Sequence, residues 1–374
     1  MAPPHPPALA EPTTGVPIRH YRPELDVVRF FAFFTVFLHH SLARKSTNPL
    51  APVPDWQIAI ANACGFGLCL FFVLSAYLIS DLLMKERIKN GKIDIAAFYQ
   101  RRVRRIWPLY ILGLVVGILV GYYNHHQEPW RFVAYFFLAG NWYCARYGWS
   151  GNPMVPLWTI SIEEQFYLLW PTVAARASRR TMFAICAALI VIANAFLFYY
   201  GHTHADLDVV VWCNSFVQFE MFAAGILISL YFHQHLPRWR WPLRTLLFLL
   251  WPACWFSGVY FFHAKQFGFA TSGAALMAGY ALAAIGSSAL LLALMGIPAR
   301  FVPRWIAYLG RISYGLYVFH LLAGMFVFGL LVRLRIHISV PMFDLLALTF
   351  TIAIAALSYK YFETPFLRKR PVRI

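Results

Sequence analysis

The sequence is poor in charge and poorer still in acid. Only 13% of its 374 residues are Asp, Glu, Lys or Arg, and 15 acidic residues stand against 32 basic ones. With 60% hydrophobic and 18% aromatic residues and a mean hydropathy of +0.59, this excludes a soluble domain and leaves a multi-spanning membrane protein. Cysteine is scarce too. The six cysteines (Cys64, Cys69, Cys144, Cys186, Cys213, Cys254) lie mostly in apolar runs without paired metal spacing, so they read as small core residues and imply no zinc site or disulfide framework. No metal and no permanently bound cofactor is expected. Residues 1–22 open MAPPHPPALAEPTTG and contain no hydrophobic run, so they read as a disordered tail and not a signal peptide. No internal repeat and no second soluble domain is visible. Residues 23–368 therefore read as one membrane domain, and 369–374 as a basic cytoplasmic tail. A net charge of +17 would suit nucleic acid, but the basic residues cluster between hydrophobic runs, as they do in cytoplasmic loops, so no nucleic-acid partner is expected.

What is present is a series of long apolar segments. Spans are placed near 24–41, 62–84, 107–123, 157–174, 181–200, 212–232, 243–262, 271–295, 312–332 and 341–362. The stretch FVAYFFLAGNWYC, 132–144, is too short to cross and reads as re-entrant or interfacial. The expected fold class is all-α: a polytopic membrane protein of about ten transmembrane helices with both termini cytoplasmic. That count puts RASRR, HQHLPRWRWPLR, IPARFVPRW and LRKRPVR on one side.

Polar residues inside these spans mark candidate chemistry, because lipid tolerates them only in a cavity or a protein interior. In ELDVVRFFAFFTVFLHHS, Arg29 and His40 are three helical turns apart and share one face, roughly 16 Å from each other, while His39 points elsewhere. Asp26 lies within about 40° of that face. RRVRRIWP holds two interleaved R-x-x-R pairs, Arg101/Arg104 and Arg102/Arg105, either of which can grip a cytoplasmic phosphate. PLWTISIEEQFYLLWP carries Glu163 and Glu164 about two turns inside the outer surface, pointing about 100° apart, so one can face a cavity and the other a helix partner. Glu220 is a further lone intramembrane acid, and Tyr314, Tyr317 and His320 form a polar and aromatic stripe in ISYGLYVFH.

Together with GFGLCLFFVLSAYLIS and YKYFETPFLR, these segments resemble, in order, the acyltransferase type 3 family of bacterial integral membrane O-acyltransferases. The resemblance covers about Tyr21 to Arg368. It implies that Arg29 and His40 match the family's basic residue followed eleven positions later by histidine. It also implies that one R-x-x-R pair binds acyl-CoA, and that Trp158 with Glu163 or Glu164 forms part of the site. Ala76 stands where the family usually has glycine. Many relatives carry a fused extracytoplasmic hydrolase-like domain that this sequence does not show, which leaves room for a separate extracytoplasmic transfer partner.

The function expected is a multi-pass O-acyltransferase of the bacterial cytoplasmic (inner) membrane. Its co-substrate would be acyl-CoA, above all acetyl-CoA, and its acceptor a carbohydrate or lipid-linked glycan. His40 is general base or acyl carrier, assisted by Arg29, Glu163 and Glu164; Asp26, Trp158, Tyr314, His320 and Glu220 are candidate site-lining residues. The rival readings are a proton-coupled secondary transporter of a sugar or anion, against which stands the lack of an inverted repeat, and a non-catalytic scaffold.

Overall fold

The computed structural model describes residues 21–46, 54–233, 235–264 and 272–368. The tails expected at 1–22 and 369–374 lie outside the described residues except for Tyr21 and Arg22. Those two are tied to the bundle: the Tyr21 hydroxyl donates to Asp26 (2.6 Å), and Arg22 donates to Glu24 (2.9 Å) and to the Tyr77 hydroxyl (2.6 Å).

The described residues form fifteen α-helices and no strand. They are α1 (Pro23–Ser46), α2 (Asp55–Cys64), α3 (Gly67–Asn90), α4 (Ile95–Tyr123), α5 (Pro129–Phe136), α6 (Gly140–Tyr147), α7 (Trp158–Arg176) and α8 (Arg179–His202). There follow α9 (Ser215–Phe232), α10 (Trp241–Tyr260), α11 (Gly273–Leu294), α12 (Arg304–Arg311), α13 (Ser313–Leu334), α14 (Val340–Leu357) and α15 (Thr364–Arg368). Nine helical stretches among the described residues are long and apolar enough to cross a membrane. The tenth expected from the sequence is α7, 19 residues long, whose Glu163, Glu164, Gln165 and Arg176 keep it below that apolarity. Its place is inside the bundle. Phe166 of α7 stacks on Phe222 of α9 (4.5 Å between centroids), which stacks on Phe72 of α3 (5.1 Å).

Three local features shape the site. The second expected span is broken: α2 ends in a tight turn at Gly65 and Phe66, and α3 begins again at Gly67. A Cβ on Gly67 would meet Thr35 Oγ1 at 2.3 Å, so glycine lets α3 lie directly on α1. Residues 132–144 do not cross. They fall on α5 and α6, eight residues each and about 12 Å long, and the turn between them is held by Gln165, which donates to the Leu138 carbonyl (2.8 Å). Finally, α4 starts well before its apolar part, capped by the Asp94 carboxylate accepting from the Ala97 amide (2.8 Å), so all four arginines of RRVRR sit on regular helix.

The methyl of Ala76 is received by Gly225 across the α3–α9 seam, where an added Cβ on Gly225 would lie 2.2 Å from the Val73 carbonyl and 2.8 Å from the Ala76 Cβ. Gly225→Ala is therefore expected to force these helices apart, at a cost of about 1–3 kcal/mol. A thermal melt of the detergent-solubilised protein checks it, and an unshifted midpoint would refute the close contact.

Candidate active site

A line of cavities runs between α1, α3, α4, α7 and α13, in three parts. The first is a basic chamber of about 580 Å³, with Arg22, Arg29, Lys85, Arg102 and Arg105 on its walls against only Asp81 and Glu163. The second is a neck of about 80 Å³, sharing Phe71, Ile160, Glu163, Ser313 and Tyr314 with the basic chamber and Leu68, Thr159 and Tyr317 with the third part. The third is a histidine chamber of about 450 Å³ lined by His39, His40, Trp149, Ser150, Asn152, Trp158, Asp208, Trp212 and Tyr317, among others.

Acidic partners fix part of the basic chamber's cationic wall. Arg29 pairs with Asp26, which is itself buried and accepts from Tyr21. Lys85 pairs with Asp81 at 2.7 Å. Arg102 is held differently, its guanidinium 5.5 Å from the centroids of both the Phe98 and Tyr167 rings. Neither Arg102 nor Arg105 forms an ion pair among the described residues. Such cations on an open wall are available to an external anion.

The interleaved arginines separate by helical rotation. Arg102 and Arg105 line the chamber, whereas Arg101 turns to Glu86 (3.3 Å) and Arg104 lines none of the three parts. The glutamates separate in the same way. Glu163 lies on the wall where basic chamber meets neck and accepts from the Tyr167 hydroxyl (2.8 Å). Glu164 points to α4 and accepts from Trp107 Nε1 (3.2 Å). Successive residues on a helix diverge by about 100°, and on α7 that rotation turns Glu163 to the cavity and Glu164 to α4.

The neck is walled by hydroxyls already engaged with backbone. Tyr314 donates to the Ile106 carbonyl (3.0 Å) and Tyr317 to the Pro156 carbonyl (3.1 Å), with Thr159 Oγ1 3.0 Å from the Tyr317 oxygen. These bonds hold the rings in place beside the passage.

The histidine chamber is completed by two connections made by the loop after α6. Trp149 donates from Nε1 to Asp208 (2.6 Å), and its ring lies 5.9 Å from that of Trp158. Below it Ser150 donates to Glu128, and Arg131 donates to Glu128 (3.1 Å) and to the Gly148 carbonyl (3.2 Å). Burial pushes the Glu128 carboxyl up, but the hydrogen bonds from Ser150 and Arg131 outweigh it and hold the group below its usual range. The wall is thus pinned by a paired charge.

Of the candidates read from sequence, Arg29, His40, Arg102, Arg105, Trp158, Glu163 and Tyr314 come together along the passage. Asp26 does not line it but stands behind Arg29. Glu220, on α9, is buried away from all three parts, and its Oε2 has no hydrogen-bond partner. His320 is buried with its ring against that of His40, 5.2 Å between centroids. His39, expected to point away, lines the histidine chamber as well, with Nδ1 donating to the Ala61 carbonyl of α2 (2.8 Å). The chamber is wide enough to take both neighbours at this end of α1. Trp149, Asn152, Asp208, Trp212 and Arg22 were missed. The available signal for the first two was GWSGNP, a polar and aromatic stretch just after a non-crossing segment. No three of His, Cys, Asp and Glu group as metal ligands among the described residues.

Comparison with known proteins adds a family. A stretch of 164 residues is 29% identical to the peptidoglycan O-acetyltransferase OatA of Listeria monocytogenes, covering 41% of this chain and 24% of that protein. The O-acetyltransferase OatA of Staphylococcus aureus is 30% identical over 164 residues, with the same coverage. The matched stretch thus spans about a quarter of the length of these relatives. No solved structure matches. The acyltransferase domain family matches residues 22–360, a range that takes in both chambers and the neck, and the chain is therefore a multi-pass membrane protein that belongs to this acyltransferase family.

Proposed function

We propose that the protein is an O-acyltransferase that moves an acyl group, acetyl in the first instance, from acyl-CoA in the basic chamber to a sugar hydroxyl in the histidine chamber. The observation that carries this is the order of the three parts. CoA has an anionic nucleotide, a thin pantetheine arm and a terminal thioester; the passage offers a cationic chamber, a narrow neck and a chamber with imidazoles, in the same order. The thioester would arrive beside His40.

In this reading His40 takes the hydroxyl proton as the sugar oxygen attacks the thioester carbonyl, the carbon–sulfur bond breaks, and the departing thiolate receives a proton from the imidazolium. Arg29, held by Asp26, and Arg102 with Arg105 carry the phosphates. Glu163 lies where the arm passes from the basic chamber into the neck. Lys85, Arg87, Lys89 and Lys92, near the same end of α3, support a reading in which the basic chamber opens to the cytoplasmic side of the inner membrane, with both termini on that side and the histidine chamber outward.

The acceptor reading rests on the indoles. Trp149, Trp158 and Trp212 offer apolar faces to sugar rings, and Asp208 and Asn152 offer polar atoms to hydroxyls. The relatives' names, one of them a peptidoglycan O-acetyltransferase, agree with a glycan acceptor. With muropeptide fragments as acceptor, Trp149→Ala is expected to raise the acceptor KM about tenfold, or about 1.4 kcal/mol, while acyl-CoA hydrolysis without acceptor is unchanged. An unchanged KM would remove Trp149 from acceptor binding.

The test of the function is acyl-CoA binding and slow thioester hydrolysis by the purified protein, followed by acyl transfer to the muropeptides. Accumulation of unmodified solute in proteoliposomes, without CoA release, would overturn it in favour of transport.

A further inference from the structure

His40 is packed against two other imidazoles, His39 at 5.1 Å and His320 at 5.2 Å between ring centroids. His320 Nδ1 lies 2.6 Å from the Tyr317 carbonyl oxygen. A carbonyl oxygen only accepts, so this Nδ1 carries a proton and donates it. In the neutral ring the other nitrogen, Nε2, is then a bare lone pair. That lone pair is buried: His320 is 3% exposed, and its Nε2 has no hydrogen-bond partner. The ring is fixed from other sides by Phe33 (6.3 Å) and by the Tyr317 ring (5.7 Å). A buried acceptor without a donor is unfavourable unless something supplies one.

We propose that His320 is the positioning residue of His40: the rings are adjacent without a hydrogen bond to His320 Nε2 in this structure, and a turn of the His40 ring lets this Nε2 accept one of its N–H groups, which fixes the tautomer in which the other ring nitrogen takes the acceptor's proton. The proposal rests on the acyltransferase reading, in which His40 is the base. His320 touches neither donor nor acceptor. It fixes the tautomer of His40, and when His40 takes the acceptor's proton the bond between the rings becomes charge-assisted and strengthens. A neutral imidazole braced by a backbone carbonyl thus stands where a carboxylate stands in a Ser-His-Asp arrangement. It does so without placing another anion in the membrane interior.

Three replacements separate this from simple packing. Gln places an amide oxygen near the former Nε2, Asn places its amide near Nδ1 only, and Phe keeps the ring without polar atoms. Two readouts are taken in detergent: acyl-CoA turnover alongside acyl-CoA binding, and the rate at which diethyl pyrocarbonate carbethoxylates His40, followed by peptide mass spectrometry. The second needs neither donor nor acceptor. His320→Gln is expected to keep most of both rates. His320→Asn and His320→Phe are expected to lose roughly ten- to a hundredfold in each, part of the 10²–10⁴ a positioned base supplies, with acyl-CoA binding unchanged. Full rates in His320→Phe would overturn the proposal, as would a loss in His320→Gln equal to that in His320→Phe. If the wild type cleaves no acyl-CoA, the donor assignment fails and His40 modification alone decides the role of His320.

Discussion

Replacing His40 by alanine is expected to lower acyl transfer by about 10²–10⁴-fold while leaving acyl-CoA binding at its wild-type level. The two properties separate because their residues do. His40 lines one of the two chambers, the arginines line the other, and the neck of about 80 Å³ stands between them. Along α1 alone, Arg29 and His40 are roughly 16 Å apart, so removing an imidazole does not disturb the arginine end. His40 is half-buried, and its truncation enlarges an existing cavity rather than opening a hole in the core. His39→Ala gives the control. Its Nδ1 is spent on the Ala61 carbonyl, so its loss loosens the contact between α1 and α2 and is expected to lower turnover by less than the loss of His40. Thioester cleavage followed with a thiol reagent, and acyl-CoA binding measured on the same preparation, check both variants. A folded His40→Ala protein with full turnover would end the role of His40 as base, and one that has lost binding would end the two-chamber division of labour.

The fold was legible where the bilayer dictates it. Backbone in lipid must bond within its own helix, and a helix must be long enough to cross, so runs such as residues 181–200 and 341–362 declare themselves by apolar length. Hydropathy says less where protein replaces lipid. The break at Gly65 and Phe66 falls inside a continuous apolar run, and only packing against Thr35 and Ala32 of α1 explains the close approach at Gly67. On α7 the polar residues that lower its apolarity are those that face the passage or its neighbours: Glu163 toward the cavity, Glu164 toward Trp107, and Gln165 toward Leu138.

The site was legible where helical spacing alone relates two residues, as for Arg29 and His40 eleven positions apart on α1. It was not legible where the choice turns on how a helix is rotated against its neighbours. Glu163 and Glu164 are chemically the same and one position apart; the packing of α7 between α3, α4 and α6 decides that the first meets the cavity. Nor does local sequence place Asp208 beside Trp149. They are brought together by chain connections 59 positions apart, through a single hydrogen bond. Glu220 shows the converse: an intramembrane acid is conspicuous in sequence, yet this one is enclosed by protein away from the passage.

The same rotation makes the arginines a sharp test. The double replacement Arg102→Ala/Arg105→Ala is expected to weaken acyl-CoA binding on the order of a hundredfold or more, since each charge-assisted hydrogen bond to phosphate contributes about 1.5–3 kcal/mol and two donors are removed from one wall. Arg101→Ala/Arg104→Ala removes the same formal charge from the same helix turns. It leaves the chamber wall intact, because Arg101 is turned to Glu86 and Arg104 lies off the passage. Its effect is expected to be several-fold at most. Net charge near the membrane surface changes equally in the two proteins, so a purely long-range attraction for an anion would weaken both alike, and would fade in both as salt screens it. Direct phosphate contacts instead predict a large difference between the doubles that persists at raised ionic strength. Measured with acetyl-CoA and with desulfo- or dephospho-CoA as probes, a loss confined to Arg102→Ala/Arg105→Ala locates the donor in the basic chamber. Equal losses would reduce the arginine cluster to a topological signal and send the search for the donor site elsewhere.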